Sequence, residues 1–288
     1  MKTNFLMLGM IFSVLIISCS KNDDTDSTTI SEDEVGINAD IDIASDDVSN
    51  VLEEQLAITN LDGSGRGSAM VYAGCATITR TPAVGTVPNV GQTVTKVIDF
   101  GTRCVQPNGN ILSGKINMSF VYNPSATTQT VTYIFENFYH NARKLNGQKT
   151  FTRSMTAATA TSQSHPIIVM NMDMLITLTD GRMLTRIGTR TREFVEGFST
   201  STLTDNVYDV TGNWTTTFPN TTVQSSTITT PLKLKLSCVA PNTSIITQGV
   251  ISFVRNTNNA TLDYGDGSCD NQAVFTLNGV STFITLRR

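Results

Sequence analysis

Charge, aromatic rings and histidine are all scarce in this chain. Of its 288 residues, 15% are charged and 7% are aromatic, with one tryptophan and two histidines. No Cys-x-x-Cys pair occurs and neither histidine lies near a cysteine in the sequence, so we expect no metal site and no cofactor. No cluster of lysine and arginine with interleaved aromatic residues occurs either, which excludes nucleic acid as an expected partner.

Catalytic motifs are also missing. A Ser-His-Asp triad needs a base held close to a nucleophile, and neither His140 nor His165 has a nucleophile motif nearby. Glu136, Glu193 and Glu196 are carboxylates of the main body, but Glu193 and Glu196 are three residues apart in a predicted strand and would face opposite sides. A paired-carboxylate glycosidase is therefore not predicted. We expect a protein that is not an enzyme.

The N-terminus is the most specific signal in the chain. Lys2 is followed by an almost unbroken apolar run, Phe5 to Ile17, which is the pattern of a secretory signal and is shorter than the roughly 20 apolar residues of a membrane span. The run ends in Leu-Ile-Ile-Ser-Cys at Cys19, which resembles the lipobox of bacterial lipoproteins. The resemblance implies cleavage after residue 18 and fatty acylation (diacylglyceride, palmitate-type chains) of the Cys19 thiol. The alternative is an ordinary secretory signal with a chance cysteine.

The residues behind Cys19 bear on location. A lysine with acidic residues, Ser20 to Asp24, resembles the surface-export signal of Bacteroidota lipoproteins, and Ser20 is not the aspartate that retains many lipoproteins in the inner membrane. Asp26-Ser27-Thr28 resembles the O-glycosylation acceptor motif of the same bacteria, with Ser27 as the acceptor. The expected location is the outer membrane, lipid-anchored, at the cell surface. A generic acidic tether is the alternative.

Charge is distributed very unevenly along the chain. Residues 20–63 hold 13 acidic residues and one basic residue, whereas residues 64–288 hold 11 acidic and 18 basic residues. We interpret the first segment as a solvated acidic tether, residues 19–63, with a short capped helix near residues 46–57 that docks on the body. A glycine-rich hinge, Leu61 to Ser68, then leads into a mildly basic body, residues 64–288. The partners expected for such a body are a glycan, a polyanion or an envelope protein.

Apolar residues alternate with polar ones through most of the body. The clearest stripes are Ile116 to Tyr122, Val131 to Phe135, Met170 to Leu178 and Leu232 to Cys238. A period of two predicts strands with one buried and one wet face, and therefore antiparallel sheet. The expected fold class is all-β, as an antiparallel β-sandwich or a large curled β-sheet, with a disordered acidic N-terminal tether and one short helix.

Glycines mark turns and kinks in this pattern. Asp180-Gly181 and Asn278-Gly279 predict tight hairpins. Gly188 and Gly212 lie inside strand-like sequence, and each lies three residues before a threonine. We interpret these glycines as the sites of bulges that curl a long sheet. Chance in a threonine-rich chain is the alternative.

Four cysteines remain when Cys19 is assigned to the lipid: Cys75, Cys104, Cys238 and Cys269. An even number in an oxidising compartment predicts two disulfides. Of the three possible connectivities we favour Cys75–Cys104 and Cys238–Cys269, because each pair lies near one end of the body with moderate separation.

The segment around Cys269 is rich in aspartate. The spacing of its acidic residues from Asp263 to Asp270 does not fit an EF-hand loop, so we expect Asx turns that close a tight loop beside a disulfide. Together with Asp99–Cys104 and Pro231–Cys238, the segment Leu262–Asn271 resembles a flavobacterial-type family of Bacteroidota outer-membrane or cell-surface lipoproteins. The resemblance covers most of the body and implies location rather than activity.

These observations leave three functional hypotheses. The first is a non-enzymatic, lipid-anchored surface lipoprotein that acts as a binding or envelope-structural module. The second is a periplasm-facing accessory for envelope assembly that carries lipid or polymer on a curved sheet. The third is a surface hydrolase. An apolar concavity would favour the second hypothesis, and a carboxylate pair in a cleft would favour the third.

Overall fold

The computed structural model describes residues 29–61, 71–200, 202–240 and 243–286. These residues form one α-helix, α1 (Glu32–Leu61), and an antiparallel sheet. The strands are β1 (Thr77–Thr81), β2 (Thr93–Asp99), β3 (Cys104–Val105), β4 (Ile111–Val121), β5 (Thr128–His140), β6 (Arg143–Asn146), β7 (Gln148–Met155), β8 (Pro166–Thr177), β9 (Met183–Glu196), β10 (Val207–Thr217), β11 (Val223–Lys235), β12 (Ile246–Arg255), β13 (Asn258–Asp266), β14 (Gln272–Leu277) and β15 (Val280–Thr285). A short 3₁₀ turn, Leu236–Cys238, follows β11.

All the strands belong to a single 15-stranded sheet. From β8 to β15 each strand pairs with the next one in sequence, and at the other end β1, β2, β4 and β5 are neighbours in that order. Both β6 and β7 pair with β5 and β8, and the two-residue β3 pairs with β4. The all-β class is confirmed, and of the two expected architectures the continuous large sheet is the one observed.

The predicted period of two is visible in burial. Along β8, Met170, Met172 and Met174 are buried, while Asn171 and Asp173 between them are exposed. The buried face of the sheet packs around α1, whose residues 38–52 are all buried, and the two together form the hydrophobic core. The other face of the sheet is in water. We call these the inner and outer faces.

Helix α1 is longer and far more buried than the sequence indicated. The predicted helix near residues 46–57 lies inside an observed helix that begins at Glu32 and ends at Leu61. Residues 32–61 therefore form a helix that is buried from residue 38 to residue 52, instead of part of the solvated tether expected from the sequence. A capping box opens the helix: the Ser31 N–H donates to Glu34 Oε2 (3.1 Å), and the Glu34 N–H donates to Ser31 Oγ (3.2 Å).

The sheet curves around this helix. Side chains of α1 contact strands from widely separated parts of the sheet: Gln55 meets Lys96 on β2, Ser49 meets Met170 on β8, and Glu34 meets Arg255 on β12. A flat sheet could not bring strands so far apart in its order against a single helix. The helix thus fills the inner face of the sheet along most of its length.

Both favoured disulfides are confirmed. Cys75 bonds to Cys104 and Cys238 bonds to Cys269, with Cα–Cα distances of 5.5 and 5.3 Å. Each bridge closes a loop of about 30 residues and links neighbouring segments near one end of the sheet. The remaining candidate modification sites, Cys19 and Ser27, lie outside the described residues, as do Ser20–Asp24 and most of the predicted glycine hinge.

The two glycines singled out in the sequence have different roles. Gly212 has a φ of +148° and lies where the β10–β11 register shifts between Val210 and Asn213, which fits the predicted bulge. Gly188 instead provides space: a Cβ atom placed there would lie 2.5 Å from Cα of Trp214 on the adjacent strand. The absence of a side chain at Gly188 lets the buried Trp214 ring pack on the inner face.

No helix among the described residues is both long enough and apolar enough to cross a bilayer.

We expect Gly188→Ala to lower the free energy of unfolding by about 2 kcal/mol, because the new methyl group overpacks against the Trp214 backbone. Gly36→Ala in α1 is the matched control, since a Cβ there meets nothing within 4 Å. That control should raise stability by about 0.5–1 kcal/mol through helix propensity. Urea denaturation followed by circular dichroism measures both, and equal effects of the two variants would contradict the packing role of Gly188.

Candidate functional site

The most unusual feature of the interior is a polar stripe on α1. It consists of Glu34, Asn38, Asp42, Asp46 and Asn50, which are spaced four residues apart, so consecutive members are neighbours on the helix surface and the stripe winds gradually around the helix. Four of them are fully or almost fully buried, and Glu34 is partly buried. Burying carboxylates and amides is unfavourable unless each finds a partner, so the stripe requires matching groups on the sheet.

Strand β9 supplies most of these groups. Arg186, Arg190 and Arg192 are fully buried on its inner face. Arg186 Nη1 donates to Asp42 Oδ1 over 2.6 Å, and its Nη2 donates to Asn38 Oδ1 over 2.6 Å.

The other two arginines of β9 continue the pairing along the helix. Arg190 Nη2 lies 3.4 Å from Asp46 Oδ2, and Arg192 Nη2 donates to Asn50 Oδ1 over 2.7 Å. The cations of one strand therefore follow the anions and amides of the helix in order.

The network extends to the neighbouring strands β11 and β12. Asn38 Nδ2 donates to Gln224 Oε1 (2.9 Å), and Arg255 Nη2 pairs with Glu34 Oε1 (2.9 Å). The ion pair between Glu34 and Arg255 joins the start of α1 to β12. The polar stripe is thus bound to the sheet from Glu34 to Asn50.

Aromatic rings cover the guanidinium groups. The Arg186 guanidinium lies 4.7 Å from the Trp214 ring centroid, and the Arg192 guanidinium lies 3.7 Å from that of Tyr208. Stacking of this kind suits the planar, weakly hydrated guanidinium and would not suit lysine. The lone tryptophan is therefore part of the buried network.

A second polar face of α1 meets strands β5 and β6 and the loop before β4. Asp47 is bound by three groups: His140 Nε2 lies 2.7 Å from its Oδ2, Asn110 Nδ2 donates to the same oxygen, and Asn108 Nδ2 donates to Oδ1, each over 2.8 Å. About two helical turns earlier, Asp40 forms an ion pair with Arg143 on β6. His140 is therefore a structural partner of the helix.

Burial changes the pKa values of several of these groups. Burial raises the pKa of Asp46 despite the nearby charges of Arg190 and Arg192. Burial lowers the pKa of Arg186 despite the charge of Asp42. The pKa of Lys149, on the inner face of β7, falls to about 7 because the amine is buried and because Arg186 and Arg190 are close. The pKa values of these groups therefore depend on their burial and on the charges around them.

The other histidine forms the only arrangement among the described residues that resembles a triad. His165 Nε2 lies 2.6 Å from Glu193 Oε1, and Ser162 Oγ lies 3.5 Å from His165 Nδ1. However, Nδ1 also lies 2.7 Å from the carbonyl oxygen of Gln163, to which it donates. The hydrogen bond to Glu193 raises the pKa of His165. Because Nδ1, the ring nitrogen nearest to Ser162 Oγ, donates its proton to the Gln163 carbonyl, it is not free to accept a proton from Ser162. This geometry does not support a nucleophilic serine.

The aspartate-rich loop adopts the predicted Asx turns. Asp263 Oδ1 accepts from the Gly265 N–H (2.9 Å), Asp266 Oδ1 from the Ser268 N–H (3.1 Å), and Asp270 Oδ1 from the Gln272 N–H (3.0 Å). The carboxylates face their own backbone rather than a common centre. No cluster of three or more potential ligands for a metal ion occurs in the described part of the chain.

A small crevice lies between α1 and strands β7 and β8. Its volume is about 160 Å³, including its opening to solvent, whereas ligand pockets usually measure roughly 300–1,000 Å³. It is lined by Ser49, Leu52, Glu53, Phe151, Ile168 and Met170. The concave side of the sheet is occupied by the helix of the same chain.

Sequence reasoning missed this helix–sheet network, although two signals were present. One was the four-residue spacing of the polar stripe. The other was the charge asymmetry itself, because carboxylates of α1 and arginines of the sheet compensate each other inside the fold.

Comparison of the chain with protein-family models, with curated proteins and with solved structures found no match. The geometry therefore has to carry any functional argument.

We expect Asp42→Asn to lower the free energy of unfolding by about 3–5 kcal/mol, because it leaves Arg186 and Arg190 with an uncompensated buried charge. The matched control is Asp180→Asn, which breaks a pair with Arg182 that is about half exposed and should cost less than about 1 kcal/mol. Urea denaturation at pH 7 measures both. A loss for Asp42→Asn no larger than for the control would mean that the buried pairs do not hold the helix.

We expect Lys149→Met to stabilise the protein at pH 6.5 by on the order of 2 kcal/mol and to stabilise it much less at pH 9.5. Between the folded pKa of about 7 and the ordinary value of 10.5, the unfolded chain binds a proton that the folded chain does not. The wild-type free energy of unfolding therefore rises with pH over this interval. Methionine carries no charge, so the variant avoids the cost of burying a protonated amine at low pH.

The control for this titration is Lys144→Met on the adjacent β6, whose amine reaches the exposed Asn137 Oδ1. It should change stability by less than about 0.5 kcal/mol at either pH. Urea unfolding curves at the two pH values give the result. A gain from Lys149→Met that does not depend on pH would assign the effect to packing rather than to the buried amine.

Proposed function

We propose that this chain is a non-enzymatic, lipid-anchored lipoprotein of a bacterial outer membrane that acts at the cell surface as a binding or envelope-structural module. The observation that carries the proposal is that α1 fills the inner face of the sheet and uses its ionisable groups internally. What remains for contact with other molecules is the outer face. The lipobox resemblance at Cys19 supports the anchor, and Ser20–Asp24 supports the export.

The position of α1 in the chain supports a location close to the membrane. Because α1 begins at Glu32 and its preceding residues are described from Thr29, the link to the lipid comprises only residues 19–28. An extended chain of that length spans at most about 35 Å. The proposed module therefore lies close to the membrane surface, rather than at the end of the long tether expected from the sequence.

The two other hypotheses receive less support. A carrier of lipid or polymer on the concave side would need an apolar groove, and that side holds α1. A hydrolase would need an available base, and the His165 ring is fully engaged with Gln163 and Glu193. Both arguments favour a module that works through its exterior.

We expect protease treatment of intact cells to degrade the wild-type body, as judged by immunoblot, without permeabilisation of the outer membrane. The Cys19→Ala variant should lack incorporated fatty acid and leave the membrane fraction, because the acylated thiol is the anchor. Ser27→Ala is a control that removes the candidate glycosylation acceptor and should keep the anchor. Protection of the wild-type body until the outer membrane is permeabilised would sink the surface location and favour the periplasm-facing alternative.

A further inference from the structure

A continuous row of small polar side chains crosses the outer face of the sheet. The registers of the strands pair its members strand by strand, so that each lies directly opposite the next across the whole sheet apart from β3 and β6. All of them are threonine, serine or asparagine, and all are exposed or partly exposed. From β1 to β15 the row reads Thr81, Thr95, Ser119, Thr132, Thr150, Asn171, Thr189, Asn213, Thr227, Ser252, Thr261, Thr276 and Ser281. We call it the hydroxyl row.

The hydroxyl row lies on the face opposite the helix. On β9, Thr189 sits next to Arg190, whose side chain points inward to Asp46, and successive residues of a strand face opposite sides. On β7, Thr150 likewise lies between the buried Lys149 and Phe151. The row is therefore separated from the buried network by the thickness of the sheet.

Neighbouring positions on the outer face do not share this composition. Two residues away along the same strands, aliphatic and acidic side chains interrupt the polar ones. They include Val97, Val121, Ile134, Val169, Asp173, Ile187, Val250, Val254 and Asp263. Threonine is favoured in β-strands, so β-propensity explains a threonine-rich face. It does not explain why the hydroxyl row contains only threonine, serine and asparagine.

The spacing of the row is set by the sheet. Neighbouring strands lie about 4.8 Å apart, so the row offers a hydroxyl or amide group at that interval around the curved surface. Adjacent members are close enough to share hydrogen bonds, as Thr189 Oγ1 and Asn171 Oδ1 do at 3.3 Å and Thr276 Oγ1 and Ser281 Oγ do at 2.9 Å. Each hydroxyl can both donate and accept, so the row can match a ligand that does the same.

We propose that the hydroxyl row binds a linear neutral polysaccharide that runs across the strands. The row contains no charged side chain, so a polyanion finds no cation along it, whereas a chain of pyranose units presents hydroxyls of both hydrogen-bonding roles. One pyranose unit along such a chain is about as long as one strand spacing, and flanking side chains such as Val169 and Ile187 offer apolar contact to the sugar rings. This inference rests on the proposed function and names the partner of the binding module.

The same geometry predicts how affinity depends on polymer length. The row lacks aromatic residues, so each sugar unit is held by hydrogen bonds of modest net strength. Tight binding then requires many units bound at once, and long chains should bind far better than short oligosaccharides.

The test is retention of the full chain, purified in detergent, on cellulose, chitin, xylan, mannan and β-1,3-glucan, with alginate and polygalacturonate as anionic probes. The triple variant Thr150→Val, Thr189→Val, Thr227→Val removes three hydroxyls from the row while keeping β-branched side chains of equal shape. The control is Thr152→Val, Thr191→Val, Thr215→Val, which changes the same face of the sheet but not the row. Circular dichroism and urea midpoints confirm that both variants fold.

We expect wild-type retention on at least one neutral polysaccharide, a loss of affinity of about tenfold or more in the row variant, and little change in the control. Retention on no neutral polysaccharide, retention on the anionic probes only, or equal losses in the two variants would each overturn the proposal. Shaping of ice crystals by the wild type without glycan retention would assign the row to a flat ice surface instead, and would also overturn it. None of these outcomes depends on protease shaving, so failure of the glycan proposal and failure of the surface location are distinguishable.

Discussion

The fold depends on matching the polar stripe of α1 to the arginines of β9. A helix with aspartates on several faces cannot enter a hydrophobic interior by itself, because each desolvated carboxylate costs several kcal/mol unless it is paired. Asp42 and Asp46 become tolerable only beside Arg186 and Arg190, and those arginines are tolerable inside a sheet only beside the aspartates. Helix and sheet are therefore mutually dependent.

Buried ion pairs of this kind fix position more than they add stability. Hydrophobic residues of similar volume would often hold the helix at least as strongly. What a polar stripe with four-residue spacing gives is register: sliding the helix by one turn would put an amide, Asn38 or Asn50 depending on the direction, in the place of a carboxylate that pairs with Arg186 or Arg190. Lys149 fits the same view, since its amine lies beside two guanidinium groups and its pKa falls because of burial and of that proximity. The interior specifies one placement of α1, and this placement lets a single sheet close over a polar helix.

Filling the interior in this way leaves interaction to the exterior. The two faces of the sheet are chemically opposite: the inner face carries arginines, methionines and aromatic rings, and the outer face carries threonine, serine and asparagine with scattered aliphatic residues. Because side chains alternate along each strand, the register that aligns the inner network also aligns the hydroxyl row. One set of strand pairings thus serves both the stability of the fold and the proposed binding surface.

The sequence alone predicted the all-β class and the antiparallel sheet, because these follow from local alternation and turn residues. The favoured pairing of the four cysteines is the one observed, although their spacing left three connectivities open. The sequence also identified the aspartates near Cys269 as turn formers. It did not reveal that residues 32–45 are helical and that residues 38–45 are buried, since their polar residues are typical of solvated chain when their partners are unknown. Those partners, Arg186 and Arg190, lie about 145 residues away along the chain, and only the tertiary structure brings them within hydrogen-bonding distance. The hydroxyl row has the same origin, because its members become neighbours only when the register of every strand is set.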